Sequence, residues 1–308
     1  MISSQSIPDV SVLTTCYNRA PFIAQTIESV LAQSFENFEY IIVDDCSTDD
    51  SFEIAQSFAE RDERLRVYRN DKNLGDYPNR NQAASYARGR YLKYIDSDDF
   101  LYPHAIEVCV YYMDQHPTAG LGLTKRHSQE KPLPELLQPK ESFRRHFLEQ
   151  GLFGNAPGSA VIRRETFDNL GAFSGKRLIG DFEMWLKIAS HSPVLLLPDL
   201  IHWDRRHPGQ QSACDDVFYT TLRYNVARDA LEQDTCPLDE SQQINARREL
   251  QLRAAIFAVR VGLRRLAPLK ATQFARSTEC GLQNLLKAAC YSTPGIRFFR
   301  KQCGPRYL

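Results

Sequence analysis

Short apolar runs alternate with stretches of helical spacing over the first hundred residues. The predicted strands cover residues 10–15, 40–43, 65–68 and 91–95. The predicted helices between them cover residues 22–33, 50–60 and 79–87. This βαβαβαβ order predicts an α/β protein with a mostly parallel central sheet flanked by helices.

The pattern is less regular beyond residue 100. The polar, proline-containing stretch 125–140 predicts a loop. Further helices are predicted over residues 103–116 and 181–190. Further strands are predicted over residues 119–124, 160–163 and 194–197.

From about Asp215 onward the strand pattern stops, and three helices are predicted. They cover residues 216–232, 240–266 and 271–289. In the middle helix Leu252 and Ile256 belong to one apolar stripe, whereas Arg253 falls on another face. We therefore predict an α/β domain at residues 1–214, with halves at about 8–100 and about 101–214, followed by a basic helical extension at 215–308.

The charge is divided unevenly along the chain. Lys plus Arg and Asp plus Glu both number 38, so the formal net charge is +0. Residues 247–308 hold 13 basic and 2 acidic residues, which leaves 25 basic and 36 acidic residues in the first 246. Because no nucleic-acid motif accompanies these cations, we expect no nucleic-acid partner. Two readings stay open: residues 240–308 contact an anionic membrane face, or they pack on the acidic body or in a homodimer.

Three kinds of sequence feature that are missing here bear on the expected location of the protein. No run of about 18 apolar residues occurs, so no membrane-spanning helix is predicted. Residues 1–9 lack the basic and apolar parts of a secretory signal. The eight cysteines form no CxxC pair, which indicates reduced thiols. The expected location is the cytoplasm, with peripheral attachment to the inner face of the membrane as the open alternative.

Polar clusters follow the predicted strands. They lie at residues 14–19, 44–49, 73–81 and 96–99. In a parallel sheet such positions share one edge, where ligands bind. Asp96 and Asp98 suit a divalent cation that completes its shell with water and phosphate oxygens, although an Asp-Ser-Asp turn is the simpler alternative. Asp45 could accept from a base edge, Tyr17 could stack on a base and Arg19 could meet phosphate, and each also suits ordinary capping chemistry.

These clusters together resemble a known family. Their order and spacing are similar to the nucleotide-sugar half of the family 2 inverting glycosyltransferases, which have the GT-A fold and include bacterial polysaccharide and lipopolysaccharide enzymes. The motifs are Thr15-Cys16-Tyr17-Asn18-Arg19, Val43-Asp44-Asp45-Cys46-Ser47-Thr48-Asp49, Asn73-Leu74-Gly75 and Tyr94-Ile95-Asp96-Ser97-Asp98-Asp99. The resemblance covers roughly residues 8–212.

The resemblance implies roles for individual residues. The predicted nucleotide-binding residues are Thr15, Tyr17, Asn18, Arg19, Asp45, Asn73 and Asp96. Thr15, Tyr17 and Asp45 would hold the base and Asp96 the ribose or sugar. Asp98 would bind Mn²⁺ or Mg²⁺.

Two further motifs extend the resemblance. Gly180-Asp181-Phe182-Glu183-Met184-Trp185-Leu186 resembles the acceptor motif, in which the aspartate is the general base. Many members have a glutamate where this chain has Gly180. Asp181 is the predicted base, Glu183 is the alternative base, and Glu183 and Trp185 are candidate acceptor contacts. In the stretch from Trp203 to Ser212, Arg206 and His207 would stabilise the leaving diphosphate.

The implied function is transfer of a sugar from a nucleotide-diphosphate sugar, favoured to be a UDP-sugar, to a hydroxyl of a glycan or lipid-linked acceptor. Two alternatives stay open: a nucleotide-sugar-binding protein without turnover, and a sugar nucleotidyltransferase. A dinucleotide-dependent oxidoreductase is disfavoured because no G-x-G-x-x-G follows the first strand.

Overall fold

The computed structural model describes residues 7–125, 132–149, 151–199, 201–207, 216–264, 268–278 and 280–292. The chain forms two compact units. Unit 1 comprises Met1–Gln138 and Asn155–Pro208, and unit 2 comprises Pro139–Gly154 and Gly209–Leu308. The predicted boundary at residues 214 and 215 lies outside the described residues, as do residues 293–308 of the predicted extension.

An eight-stranded sheet forms the centre of unit 1. Its strands are β1 (Val10–Cys16), β2 (Phe38–Asp44), β3 (Leu65–Arg69), β4 (Tyr91–Tyr94), β6 (Leu121–Lys125), β7 (Glu135–Leu137), β8 (Ala160–Arg163) and β9 (Val194–Pro198). A separate two-stranded sheet pairs β5 (Phe100–Leu101) with β10 (His202–Trp203).

The strand order of the large sheet is β3-β2-β1-β4-β8-β6-β9-β7. The first four strands are mutually parallel, and β6 is parallel to β9. β8 runs antiparallel to β4 and β6, and β7 runs antiparallel to β9. The predicted α/β architecture with a mostly parallel sheet is thereby confirmed.

Helices connect these strands. In unit 1 they are α1 (Ile23–Leu31), α2 (Ser51–Ala59), α3 (Asp76–Ser85), α4 (Ala105–Gln115), α6 (Arg164–Asn169) and α7 (Gly180–His191), with a 3₁₀ turn at Pro157–Ser159. The sequence pattern placed the start of α3 three residues too late, because it assigned Asp76, Tyr77 and Pro78 to a polar loop. Proline is tolerated in a first helical turn, where its missing N–H has no partner to lose.

The core of unit 1 is apolar on both faces of the sheet. Residues 40–43 of β2 are fully buried, which is typical of a strand covered on both sides. Ile23, Ile27 and Val30 lie on one face of α1 and are also fully buried. Burial of each such side chain stabilises the fold by about 1.5–3 kcal/mol.

Unit 2 is helical in the described ranges. It contains α5 (Pro139–Leu148), α8 (Asp216–Glu232), α9 (Glu240–Arg264), α10 (Pro268–Ser277) and α11 (Leu282–Ser292). α9 packs against the other four helices. The sequence pattern assigned residues 139–154 to the α/β domain, and the structure groups them with the C-terminal helices instead. Long-range packing on α9 decides this grouping, and no local pattern reports it.

The buried face of α9 differs from the predicted stripe. Leu252 and Ile256 are only partly buried, whereas Ala254, Ala258 and Arg253 are buried. Arg253 Nη1 donates to the carbonyl of His146 at 3.3 Å, and Nη2 donates to the carbonyl of Phe147 at 2.8 Å. The guanidinium thereby satisfies carbonyls at the end of α5, which have no partner within the helix.

Helix length and composition also bear on the membrane. Among the described residues, no helix combines the length and apolar character that crossing a bilayer requires.

One lysine is buried in the core of unit 1. Lys93 on β4 is 1% exposed, and its Nζ donates to the carbonyl of Gly158 and, at 3.4 Å, to that of Tyr94. Burial lowers the pKa of Lys93 to about 8. The ordinary lysine value is 10.5, so the unfolded chain binds more protons than the folded chain between these values.

We therefore predict that wild-type stability rises relative to Lys93→Met as pH increases from about 8 to about 10. The comparison is made by thermal unfolding of both variants across this range. Lys72→Met, which removes an exposed lysine, serves as the matched control. A wild-type stability that stays parallel to that of Lys93→Met throughout would contradict the buried, pKa-shifted lysine.

Candidate active site

The site is built where β1, β2 and β4 end at a common edge. Cys16 of β1 lies beside Asp44 of β2, and Leu13 of β1 lies beside Tyr94 of β4. The segments that follow these strands therefore begin side by side. Two of them start with backbone in the left-handed region, at Asn18 (φ 53°) and Cys46 (φ 65°). Asparagine tolerates this conformation better than most residues, which suits it to a sharp strand exit.

Asn18 joins the first two segments. Its Oδ1 accepts from the backbone N–H of Thr48 at 2.8 Å, and its own N–H donates to Ser47 Oγ at 3.0 Å. Thr15 is half-buried and Tyr17 is 46% exposed at the same edge. The structure therefore leaves the Tyr17 ring accessible, whereas the Asn18 side chain organises the loop.

Asp45 holds the loop that follows β3. Its carboxylate accepts from Asn70 Nδ2 and Leu74 N, both at 2.8 Å, and from Gly75 N at 2.9 Å. Asn73 Nδ2 donates to the Asp45 carbonyl at 3.2 Å. A carboxylate offers about four lone-pair sites, and the described residues use three of them at Asp45.

Gly75 completes this loop and precedes α3. Its φ is 85°, a conformation in which a side chain would be strained. This requirement explains the glycine of Asn73-Leu74-Gly75.

Arg80 is a site residue that the sequence analysis missed. It is 7% exposed on α3, and it donates to Asp96 Oδ1 through Nη2 and to Asp76 Oδ1 through Nε, both at 2.7 Å. Asp96 is thus paired with a buried cation. The polar residues Asn79, Arg80 and Asn81 within a predicted helix were the available signal, because two of them are buried in the structure.

Two side-chain nitrogens contact the same carboxylate oxygen of Asp98. Arg19 Nε and His207 Nε2 each lie 3.0 Å from Asp98 Oδ2. The side chains are 24% exposed for Arg19, 11% for His207 and 12% for Asp98, so water screens these contacts only partly. The predicted metal ligand and two predicted phosphate contacts therefore meet at one point, although they are far apart in sequence.

Arg205 also contacts the segment that carries Asp98 and Asp99. Its backbone N–H donates to Asp99 Oδ1 at 2.9 Å, and its Nε donates to the Asp98 carbonyl at 2.7 Å. Its guanidinium lies 5.3 Å from the centre of the Phe22 ring. The sequence analysis selected Arg206, which is exposed, whereas Arg205 makes these contacts. Residues 208–212 of the same motif lie outside the described residues.

Negative charge accumulates in this corner. Burial and the neighbouring carboxylate of Asp96 raise the pKa of Asp99 to about 8, against the hydrogen bond from Arg205. Asp98 and Asp204 add to the increase. The carboxylates of Asp96, Asp98, Asp99 and Asp204 therefore influence one another in this corner.

Asp181, Glu183 and Trp185 lie near the start of α7. Asp181 is half-buried in the first turn. Glu183 is paired with Lys176 Nζ at 2.7 Å and with the Ser174 hydroxyl. Glu183, the alternative base, therefore already has a cationic partner.

Trp185 does not face an acceptor. It is fully buried, and its Nε1–H donates to the Asn155 carbonyl at 3.0 Å. The helical period turns this position toward the core, so the predicted acceptor contact at Trp185 is replaced by a packing role.

Metal binding needs several oxygen or nitrogen ligands in one place. Within the described ranges, no group of three or more His, Cys, Asp or Glu side chains is arranged to hold a metal ion. Asp98 and His207 nevertheless form an adjacent carboxylate–imidazole pair in an acidic corner. These residues fit a divalent cation whose remaining ligands are water and phosphate oxygens.

Comparison with known proteins agrees with this geometry. Residues 11–171, just over half of the chain, match the family Glycosyl transferase family 2. The chain belongs to this family.

Two named relatives are similar in sequence. TuaG of Bacillus subtilis (strain 168), named for teichuronic acid biosynthesis, is 37% identical over 137 residues, which are 44% of this chain and 54% of TuaG. The chain thus matches about half of the length of that relative. Glycosyltransferase GlyG of Streptococcus pneumoniae serotype 4 is 26% identical over 239 residues, 72% of this chain and 77% of GlyG.

Two solved structures show the same fold. Residues 1–349 of S. aureus TarS in complex with UDP-GlcNAc match with a TM-score of 0.65 and 20% identity, covering 88% of this chain and 81% of that one. The mannosyltransferase PcManGT from Pyrobaculum calidifontis, in complex with GDP-Man and Mn²⁺, matches with a TM-score of 0.63 and 18% identity, covering 96% and 83%. The predicted GT-A fold is confirmed.

Proposed function

We propose that this chain is an inverting glycosyltransferase that moves a sugar from a nucleotide-diphosphate sugar to a hydroxyl of a glycan or lipid-linked acceptor. The observation that carries the proposal is the meeting of Arg19 and His207 on one oxygen of Asp98, at the edge of the sheet where ligands bind. The family membership and the sugar nucleotides bound by TarS and PcManGT support it.

The donor nucleotide is proposed to lie along the ends of β1 and β2. Tyr17 offers an exposed ring for stacking, and the Asp45 carboxylate is the proposed acceptor for a base N–H. UDP is the favoured nucleotide, by analogy with TarS. Thr15 lies near the end of β1, Asn73 lies beside Asp45 in the loop after β3, and Asp96, held by Arg80, faces the ribose or sugar in this proposal.

Asp98 and His207 are the proposed ligands of Mn²⁺ or Mg²⁺. The cation, when bound, would offset negative charge on the diphosphate. Arg19 and Arg206 would add cationic groups for the leaving diphosphate. Arg205 has a supporting role, because its contacts hold the segment that carries His207.

Asp181 is the proposed general base. It takes the proton from the acceptor hydroxyl while that oxygen forms a bond to the anomeric carbon. The bond from the same carbon to the diphosphate breaks, and the nucleoside diphosphate leaves with the electron pair. Attack from the face opposite the leaving group inverts the configuration of the carbon. Glu183 is the alternative base, although Lys176 already neutralises it.

Two other functions would use the same nucleotide site. A binding protein would hold the donor without releasing nucleoside diphosphate. A sugar nucleotidyltransferase would release pyrophosphate from a nucleoside triphosphate and a sugar phosphate. Membership of Glycosyl transferase family 2 favours the transferase, and Asp181 is the carboxylate proposed to accept the proton when a hydroxyl attacks the sugar.

Unit 2 is proposed to contact an anionic membrane surface from the cytoplasmic side. Leu269 is 85% exposed on α10, Leu286 is 60% exposed on α11, and each is followed by an exposed lysine, Lys270 or Lys287. Apolar side chains beside cations suit the boundary of an anionic bilayer. A homodimer through these helices is the alternative.

The metal assignment predicts coupled binding of nucleotide and cation. UDP with Mn²⁺ should raise the melting temperature of the wild-type protein by more than the two separate shifts combined, because each ligand completes the site of the other. The Asp98→Asn protein should lose the Mn²⁺-dependent part of this melting-temperature shift, and it should also lose metal-dependent turnover. Thermal shift with UDP, GDP, dTDP and their sugars, with and without Mn²⁺, measures this. Asp71→Asn, at an exposed position, is the control, and an Asp98→Asn protein that keeps the Mn²⁺ effect would refute the ligand assignment.

The base assignment predicts a separation of binding from turnover. Asp181→Asn should bind the donor normally and lose about 100-fold to 10,000-fold in rate. Turnover is measured as nucleoside diphosphate released from a panel of donors, namely the sugars of UDP, GDP and dTDP, with water as the acceptor. Glu183→Gln is the matched comparison and should lose much less. An Asp181→Asn enzyme with a near-normal rate, or a larger loss in Glu183→Gln, would overturn the assignment.

The membrane proposal predicts flotation of the full chain with phosphatidylserine-containing liposomes at moderate salt, and none with neutral phosphatidylcholine liposomes. Each lysine near such a surface contributes about 1 kcal/mol, so Lys270→Glu with Lys287→Glu should lower the bound fraction severalfold. Lys72→Glu in unit 1 is the control. Absence of flotation together with a dimer in sedimentation would assign these helices to self-association instead.

A further inference from the structure

Gly180, directly before Asp181, lies against the ring of Tyr77. A Cβ added at position 180 would be 2.7 Å from both Cγ and Cδ1 of Tyr77. Real Cβ atoms essentially never approach other atoms this closely, so any larger residue requires the ring to move. The ring therefore occupies the volume that a side chain at position 180 would take.

The Tyr77 ring is held from several sides. It is 4% exposed, and its centre lies 5.1 Å from that of Phe173 and 5.8 Å from the Arg80 guanidinium. The Asn81 side chain holds the backbone of Phe173. Its Nδ2 donates to the Phe173 carbonyl at 2.8 Å, and its Oδ1 accepts from the Phe173 N–H at 3.1 Å. Displacement of the ring would therefore disturb a packed cluster.

The Tyr77 phenol also lies near Asp181. Its ring packs against Gly180, the residue directly before Asp181, and the Asp181 carboxylate is close enough to influence the titration of the phenol. Burial is the main cause that raises the pKa of Tyr77, and the charge of Asp181 adds to it, so the phenol stays neutral. A neutral hydroxyl thus lies at the first turn of α7.

We propose that Tyr77 is the positioning residue for Asp181: its ring occupies the volume beside position 180, and its hydroxyl fixes the turn that presents the carboxylate. This inference deepens the proposed function, because it rests on Asp181 being the base. Tyr77 touches no reacting atom in this proposal and acts through Asp181.

The same helix also holds the donor side of the site. Arg80 lies one turn after Tyr77 on α3 and pairs with Asp96 at 2.7 Å. One helix therefore fixes both the proposed base and a proposed donor contact. Their relative placement depends on a rigid element, which is what an attack of one bound group on another requires.

The first test is Tyr77→Phe, which keeps the ring and removes the hydroxyl. We expect kcat to fall about 10-fold to 100-fold, because small misplacement of a reacting group has effects of this size. The KM for the donor should stay within about twofold, since donor contacts are untouched. Tyr91→Phe is the matched control, because Tyr91 is 1% exposed and its hydroxyl also makes a hydrogen bond, to Asp114 at 2.7 Å.

The second test is a double-mutant cycle between positions 77 and 180. Gly180→Ala should destabilise the wild-type protein and lower kcat, because the new methyl group meets the ring. In a Tyr77→Ala background the same substitution should be nearly neutral in melting temperature, because the volume is then free. Equal effects of Gly180→Ala in both backgrounds would overturn the inference, as would a Tyr77→Phe enzyme with wild-type kcat.

Failure of the inference is distinguishable from failure of the proposed function. If Asp181→Asn retains turnover, Asp181 is not the base and the proposed function fails in its mechanism. If Asp181→Asn is inactive while Tyr77→Phe keeps wild-type kcat, only the positioning role of Tyr77 is wrong. If no panel donor is turned over, the stability cycle alone decides whether Tyr77 fixes the start of α7.

Discussion

Mutual repulsion of carboxylates is the constraint on which the candidate site depends. Parallel strands bring their carboxyl ends to one edge, and this chain places Asp96, Asp98 and Asp99 there within four residues. Burial is the main cause that raises the pKa of Asp99 to about 8, and the negative charges of Asp96, Asp98 and Asp204 add to the increase. The arrangement is tolerable only because cations and N–H donors are brought to the same corner.

Those cations come from separate parts of unit 1. Arg19 follows β1, Arg80 lies on α3 and Arg205 follows β10, and the imidazole of His207 joins them in the corner. Each reaches the segment after β4 at about 3 Å or less, which is the range of charge-assisted hydrogen bonds. The positive groups that balance the carboxylates can also bind a diphosphate. The same side chains therefore stabilise the corner and suit it to an anionic ligand.

Helix α3 connects this corner to the proposed base. Tyr77 and Arg80 are three residues apart on this helix; the Tyr77 ring lies against Gly180, directly before Asp181, and Arg80 pairs with Asp96. The glycine at position 180, which departs from the pattern of the family, has a local physical reason in the Tyr77 ring. The buried Tyr77 ring occupies the volume that a side chain at position 180 would otherwise take.

The sequence by itself determined the α/β class, the strand-end clusters and the family, because hydrophobic period and short motifs are local properties. It also identified Asp98, Asp181 and His207 as candidates. Tertiary structure alone decided that Trp185 is core, that Arg205 rather than Arg206 holds the loop, that Arg80 pairs with Asp96, and that the Tyr77 ring packs against Gly180. These outcomes depend on which distant segments pack together, and that information lies in the burial and contacts of the folded chain rather than in any local pattern.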